Sequence, residues 1–260
     1  MPFTISHVAA VVPFSRPLTR WGLLSATVIG SMVPDFGFFM PWRPARMETH
    51  SLIGLFTFCL PVGLATFWIF QLLVKPAVME LLPNGAYLRW RGFAAPAGIG
   101  SVKQWLLAAC GVFAGAMTHL VWDAFTHEGA RGVRMFPALD DPFVEIAGRR
   151  LIGSRLLQDV SSLIGFAIVI LVVAYGLRPH SPSEQAPVRT LPAAERHAWT
   201  LAYGGIALML AASFLATRRA SFGPSLAFML GSYAVAALRG FSASLLVISV
   251  GVVWRLRARR

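Results

Sequence analysis

Gly111-Val-Phe-Ala-Gly115-Ala-Met-Thr-His119-Leu-Val-Trp-Asp123-Ala-Phe-Thr-His127 is the stretch from which the fold can be read. At about 3.6 residues per turn, Gly111, Gly115, His119, Asp123 and His127 share one helical face, each about 6 Å above the last. A glycine seam that admits a close neighbour therefore leads into a column of ligand-type side chains. Neutral imidazole and ionised carboxylate suit zinc, iron or manganese. The competing reading is plainer: polar residues closing an apolar helix often meet water or hydrogen-bond a neighbour.

The surrounding composition sets the environment. Of 260 residues, 56% are hydrophobic and 13% charged, and the mean hydropathy is +0.64. Those values exclude an ordinary soluble domain and imply an integral membrane protein. The expected fold is all-α: a polytopic bundle of six to seven spanning helices plus a short N-terminal helix. The net charge of +12 is scattered between apolar runs and ends in Arg255-Leu-Arg-Ala-Arg-Arg260, which suits bilayer interfaces and anionic lipid, with no nucleic-acid partner. Met1-Pro-Phe-Thr-Ile-Ser-His7 lacks the basic n-region of a secretory signal, so the first segment is expected to stay. Cys59 and Cys110 lie in apolar runs without a CxxC pattern and read as small buried hydrophobes.

In chain order, residues 3–14 are too short to span and read as a buried or interfacial helix. A first span is expected over 21–40, with Pro34-Asp35 near its end, and a second over 51–74 with His50 at its start. Asp35 could cap the next turn or bind an ion, and His50 could cap its helix. Residues 75–103 read as a mixed loop, and 104–125 as the third span. If these spans alternate direction, Asp35, His50 and the His119, Asp123, His127 column emerge on one membrane face. Three of six histidines and two of five aspartates then converge, which a metal site explains and chance packing does not require.

Residues 128–158 return to that face carrying Glu128, Arg131, Arg134, Asp140, Asp141, Glu145, Arg149 and Arg150, either covering the site or forming a solvated amphipathic surface. Gln158 and Asp159, at the start of a fourth span over 160–177, stand where they could support ligands. The expected organisation is a metal-site helical domain over 1–177, a Pro-rich linker over 178–198 containing His180 and His197, and anchoring helices over 199–260. No acid or histidine follows His197, which removes ordinary metal or acid–base chemistry from that last part. Its final apolar run, 222–254, is long enough that a bend at Arg239-Gly240 into two helices is expected.

Met1-Pro-Phe-Thr-Ile-Ser-His7, Gly30-Ser-Met-Val-Pro-Asp35-Phe, Thr49-His50-Ser-Leu-Ile-Gly54 and the 119–127 stretch resemble, in that order, an uncharacterised bacterial integral-membrane family classed as a domain of unknown function. That family is similar to membrane-bound metal-dependent hydrolases. The resemblance implies a metal site of His7, Asp35, His50, His119 and Asp123, and it alone supplies His7, for which residues 1–20 must fold back towards Asp35. Gly37 and Ala45 stand where the hydrolases carry a further Asp and His. The order of ligands is more faintly similar to zinc-dependent phospholipase C and P1-type nucleases. Met1 replaces their N-terminal Trp, and no His-x-x-x-Glu comes after His127, so one or two ions are expected instead of a cluster of three.

The chemistry then expected is metal-assisted hydrolysis, with zinc first and manganese or iron as alternatives. Asp35, His50, His119 and Asp123 would hold one ion, and Asp123 would bridge to another at His7. His127 would be an outer ligand or the acid for the leaving group, Glu48 or Glu128 the proton acceptor, and Arg46, Arg131 or Arg134 the clamp on an anionic head group. Placement at a membrane face favours a lipid or lipid-linked phosphoester, in a bacterial cytoplasmic membrane. Two rivals remain: a non-catalytic membrane protein with a structural or transported ion, and a helix-packing scaffold without metal.

Overall fold

The structure is a computed structural model that describes residues 4–40, 44–94, 100–146, 149–177, 189–216 and 226–259. It is an all-α bundle, and five of its described helices are long and apolar enough to cross a membrane. We label the principal helices α1 (Leu24–Gly30), α2 (Leu52–Leu81), α3 (Val102–Thr126), α4 (Gly153–Leu177), α5 (Ala193–Ala216) and α6 (Leu226–Ala258). A short antiparallel ribbon, β1 (Pro142–Ile146) with β2 (Arg149–Ile152), lies in the connection between α3 and α4. Contacts divide the chain into two compact units, Met1–Phe67 with Ala97–Tyr175, and Trp68–Pro96 with Gly176–Arg260.

The span expected over 21–40 is corrected. Gly22, at φ 72°, turns the chain before α1 begins, and α1 stops at Gly30, because Pro34 has no N–H to give the Gly30 carbonyl. Residues Val33–Phe39 continue as a tighter 3-10 helix that carries Asp35. Prolines shape α2 differently. Pro61 and Pro76 come after wider π-type turns at Leu55–Cys59 and Phe70–Val74, which take up the carbonyls a proline ring would strike. So α2 runs on through part of the expected 75–103 loop, and Asn84–Ala94 is a further helix. The fourth span begins earlier than expected, at Gly153.

In the first unit α1 lies against α3 through glycine. A Cβ on Gly30 would strike the Val112 backbone, one on Gly115 would strike the Thr27 carbonyl, and one on Gly111 would sit 2.8 Å from the Ala26 methyl. Ala26, Val33, Cys59, Val112 and Ala116 are all fully buried around this seam. The N-terminal 3-10 helix, Thr4–Ala10, docks on α4, where the Ser6 hydroxyl donates to the Ser162 carbonyl at 2.8 Å.

In the second unit, α5 and α6 pack along their length. The expected bend at Arg239-Gly240 is absent, and α6 is one helix, because Gly240 serves as a packing point against the Ala207 carbonyl and Ala211. Ser244 donates to the Tyr203 carbonyl at 2.8 Å, and Glu195 pairs with Arg255 and Arg259 at 2.8 Å each. Most of the expected linker, 178–188 with His180, lies outside the described residues. From Arg189 onward the chain is tied down: the Arg189 guanidinium donates to the Met79 and Leu82 carbonyls and stacks on Tyr87.

The glycine seam gives a direct contrast. Gly115→Ala should cost about 1–3 kcal/mol by overpacking, whereas Gly204→Ala, where a methyl meets nothing within 4 Å, should be neutral or gain about 0.5–1 kcal/mol. Thermal unfolding of both variants in the same detergent measures the difference, and equal midpoints would refute the close approach.

Candidate metal centre

Four segments of the first unit bring their polar side chains to one point. His7 comes from the N-terminal 3-10 helix, Asp35 from the 3-10 helix after α1, His50 from the residue pair before α2, and His119 with Asp123 from α3. The local chemistry of each segment fixes its side chain. At the start of α2 the Ser51 hydroxyl accepts the Gly54 N–H at 2.9 Å, so the cap belongs to Ser51 and leaves His50 free to turn inward. Gly54 has no Cβ to strike the Glu48 carbonyl, which lets the chain fold tightly over itself there.

The tautomers of the neutral rings are set by their outer partners. His119 Nδ1 lies 2.8 Å from the Ser31 carbonyl, which can only accept, so Nδ1 carries a hydrogen and the neutral ring presents its Nε2 lone pair inward. His50 Nδ1 lies 2.8 Å from Thr49 Oγ1, whose own hydrogen goes to the Arg46 carbonyl at 3.3 Å. By the same logic His50 Nε2 is bare. Both Nε2 atoms, with Asp123 Oδ1, are buried and without a hydrogen-bond partner.

These bare nitrogens face carboxylates. His50 Nε2 is 3.3 Å from Asp35 Oδ1 and 3.6 Å from Asp123 Oδ2, and His119 Nε2 is 3.8 Å and 3.6 Å from the same two oxygens. Lone pairs opposed at that range repel unless a cation lies between them. Two neighbouring ligands on a tetrahedral zinc ion, with bonds of about 2.0–2.1 Å, stand about 3.4 Å apart. The residues present therefore fit a divalent ion.

Two sets of three ligand atoms lie within 4.8 Å of one another: Asp35, His50, His119 and His7, His119, Asp123. His119 belongs to both but offers only Nε2, and one lone pair serves one ion. Asp123, with two oxygens, is the residue able to reach both. Its Oδ1 is 3.7 Å from His7 Nε2 and 3.3 Å from His127 Nδ1. The His7 ring stacks on His119 with centroids 3.7 Å apart. Burial lowers the His7 pKa to about 4, so that ring is neutral near pH 7. Burial works against the Asp35 carboxylate, but His50, His119 and the Thr4 hydroxyl, 2.8 Å from Oδ2, hold its pKa below the usual range.

Outer residues complete the arrangement. Gln158 Nε2 is 2.8 Å from His127 Nε2, which directs the His127 Nδ1 hydrogen towards Asp123. Asp159 points elsewhere, to Arg155 at 4.0 Å. Arg46 donates from Nη2 to Asp123 Oδ2 at 2.7 Å. Glu48 accepts the Ala45 N–H at 3.1 Å. Among the described residues no hydrogen bond or ion pair joins Glu48, Glu128, Arg131 or Arg134 to the cluster, and all four are exposed. The side chains of Glu145, Arg149 and Arg150 lie outside the described residues. Thr4 and Ser31 were not anticipated from sequence. Thr4 stands three residues before His7 and so on the same 3-10 face, a signal that becomes readable once that helix type is known.

A family model described as a domain of unknown function (DUF4184) matches residues 1–250. No curated protein and no solved structure matches the chain.

The Thr4 contact is separable from the ligands. Thr4→Val should lower metal affinity about 10–100-fold by freeing the Asp35 carboxylate, while Thr57→Val, which removes an exposed hydroxyl bonded to the Ile53 carbonyl, should leave it unchanged. Competition against a chelator of known affinity reads both.

Proposed function

The chain belongs to the DUF4184 family, and from its own site we propose that it is a membrane-bound metal-dependent hydrolase acting on a phosphoester or lipid-linked substrate. One observation carries the reading: two bare imidazole nitrogens and two carboxylates oppose one another, buried, at ion-bridging distances. Asp35, His50, His119 and Asp123 Oδ2 would hold a first ion, with zinc favoured by the donors and manganese or iron as alternatives. Asp123 Oδ1 and His7 would contribute to a second. When bound, such an ion supplies Lewis-acid activation of water and of the ester oxygen.

The protein's own groups supply the rest. His127, held by Gln158 and 3.3 Å from Asp123, would give a proton to the departing oxygen as the ester bond breaks. Glu48 or Glu128, both near this end of the bundle in sequence, would accept the proton released by the attacking water. Arg46, already at the cluster, would hold an anionic head group, with Arg131 or Arg134 as the alternative clamp. In this reading the enzyme works in the cytoplasmic membrane of a bacterium.

A structural or transported ion is the second reading, and the ring of four protein ligands favours it, since four would close a tetrahedral site. A metal-free packing scaffold is the third. Elemental analysis of detergent-purified protein separates the last from the others. One or two equivalents of zinc, manganese or iron in the parent, and little in the His119→Ala, Asp123→Ala double variant, is the expected result; no metal after metal-replete expression would sink the proposal. Turnover of phosphoester probes, abolished by chelation and lowered about 10²–10⁴-fold in His127→Ala with metal retained, is the outcome for a hydrolase, and metal without turnover that for a structural ion.

A further inference from the structure

A groove of about 560 Å³ runs along α3 between the N-terminal segment and α4. Its walls are Phe14, Met117, Val121, Trp122, Phe125 and Leu157. Along α3 it extends from Met117 to Thr126, about 13 Å at 1.5 Å per residue.

The groove has almost no free hydrogen-bonding capacity. Its hydroxyls are committed to backbone carbonyls: Thr118 to Gly115 at 2.7 Å, Thr126 to Trp122 at 3.0 Å, and Ser161 to Gln158 at 3.3 Å. The indole N–H of Trp122 is taken by Ser161 Oγ at 3.2 Å. A polar ligand would find nothing to bind there, whereas a hydrocarbon chain loses nothing by entering. The groove also lies between two candidate spans and continues into the exposed apolar residues Val160 and Ile164 of α4, so hydrocarbon is what surrounds its mouth.

One end of the groove meets the metal centre. Trp122 stands edge-on to His7 with centroids 6.4 Å apart, and Thr126 Oγ1 is 3.3 Å from His127 Nδ1. Ala10 lies three residues after His7 on one 3-10 face, and Leu157 adjoins Gln158, which binds His127. The apolar channel and the ligand cluster thus share a wall.

We propose that this groove takes one acyl chain of a bilayer lipid and brings that lipid's ester linkage to the His7, Asp123, His127 side of the cluster. The substrate is then a lipid ester entering from the membrane. This rests on the hydrolase reading above and specifies its substrate class.

The test uses the full chain in phosphatidylcholine nanodiscs doped with phosphatidic acid carrying a mid-chain diazirine, with metal content measured on every sample. Val121→Trp and Leu157→Trp fill the groove from opposite walls, and both positions are exposed and outside the ligand set. Crosslinks should concentrate on peptides bearing Phe14, Trp122, Phe125 and Leu157. They should fall about tenfold in both variants, equivalent to about 1.4 kcal/mol of site affinity, with metal retained. Labelling spread evenly over the exposed faces of α3 and α4, or unchanged in both variants, overturns the acyl site whatever the metal content. Groove-specific labelling in a parent protein that binds no metal overturns the substrate role instead, because it removes the hydrolase reading while leaving the chain-binding groove.

Discussion

Buried acceptors without hydrogens between them are the constraint on which the first unit depends. As neutral rings His50 and His119 each spend their one hydrogen outward, on Thr49 and on the Ser31 carbonyl, and turn bare nitrogens towards Asp35 and Asp123. A carboxylate removed from water without a counter-charge costs several kcal/mol, more than any single packing contact in this unit returns. Arg46 supplies such charge to Asp123 from one side, and a cation among the four groups would supply the rest. The close approach of α1 and α3 stems from the same requirement, since only side chains as small as Gly30 and Gly115 let the Ser31 carbonyl reach His119. Packing here serves hydrogen-bond direction.

How much of this was readable depends on which physical signal each residue leaves. The column His119, Asp123, His127 was legible because helical periodicity is local. The meeting of Asp35 and His50 with it was legible from alternating spans, although 21–40 proved not to span. The convergence holds all the same, because it needs only the chain to return to one face, and a short helix leading into a 3-10 turn does that as well as a full crossing. His7 left no such signal: its stacking on His119 depends on how the N-terminal segment folds back, and only the resemblance suggested it. Gln158 could be anticipated by adjacency, but its neighbour Asp159 could not be told apart from it, because one residue of helix rotates a side chain by about 100°. Arg239-Gly240 misled for a related reason. Glycine marks close packing as readily as a bend, and sequence alone does not show the neighbour that decides between them.

The two units divide the polar residues by task. In the second, Glu80 accepts the Leu191 N–H and Glu195 pairs with two arginines, so its acids fasten chain to chain. In the first, Asp123 accepts from Arg46 and Asp35 from Thr4, but both also face histidine nitrogens that bring them no hydrogen bond. A carboxylate in the second unit only fastens, whereas Asp35 and Asp123 also stand where an ion could be held.

Exposure around the cluster is uneven, and that bears on what could reach it. His119 is wholly buried, but the Arg46 side chain is 46% exposed and His127 18%. Solvent therefore meets the site along the edge occupied by Arg46 and His127, while the apolar groove approaches along the edge of His7 and Trp122. An amphiphile has two ends that want these two surroundings, one charged and one hydrocarbon. A free ion needs only the first. An apolar groove offers nothing to a cation, and its shared wall with His7, Asp123 and His127 is accounted for by the proposed lipid, which would bring a chain with it to the site.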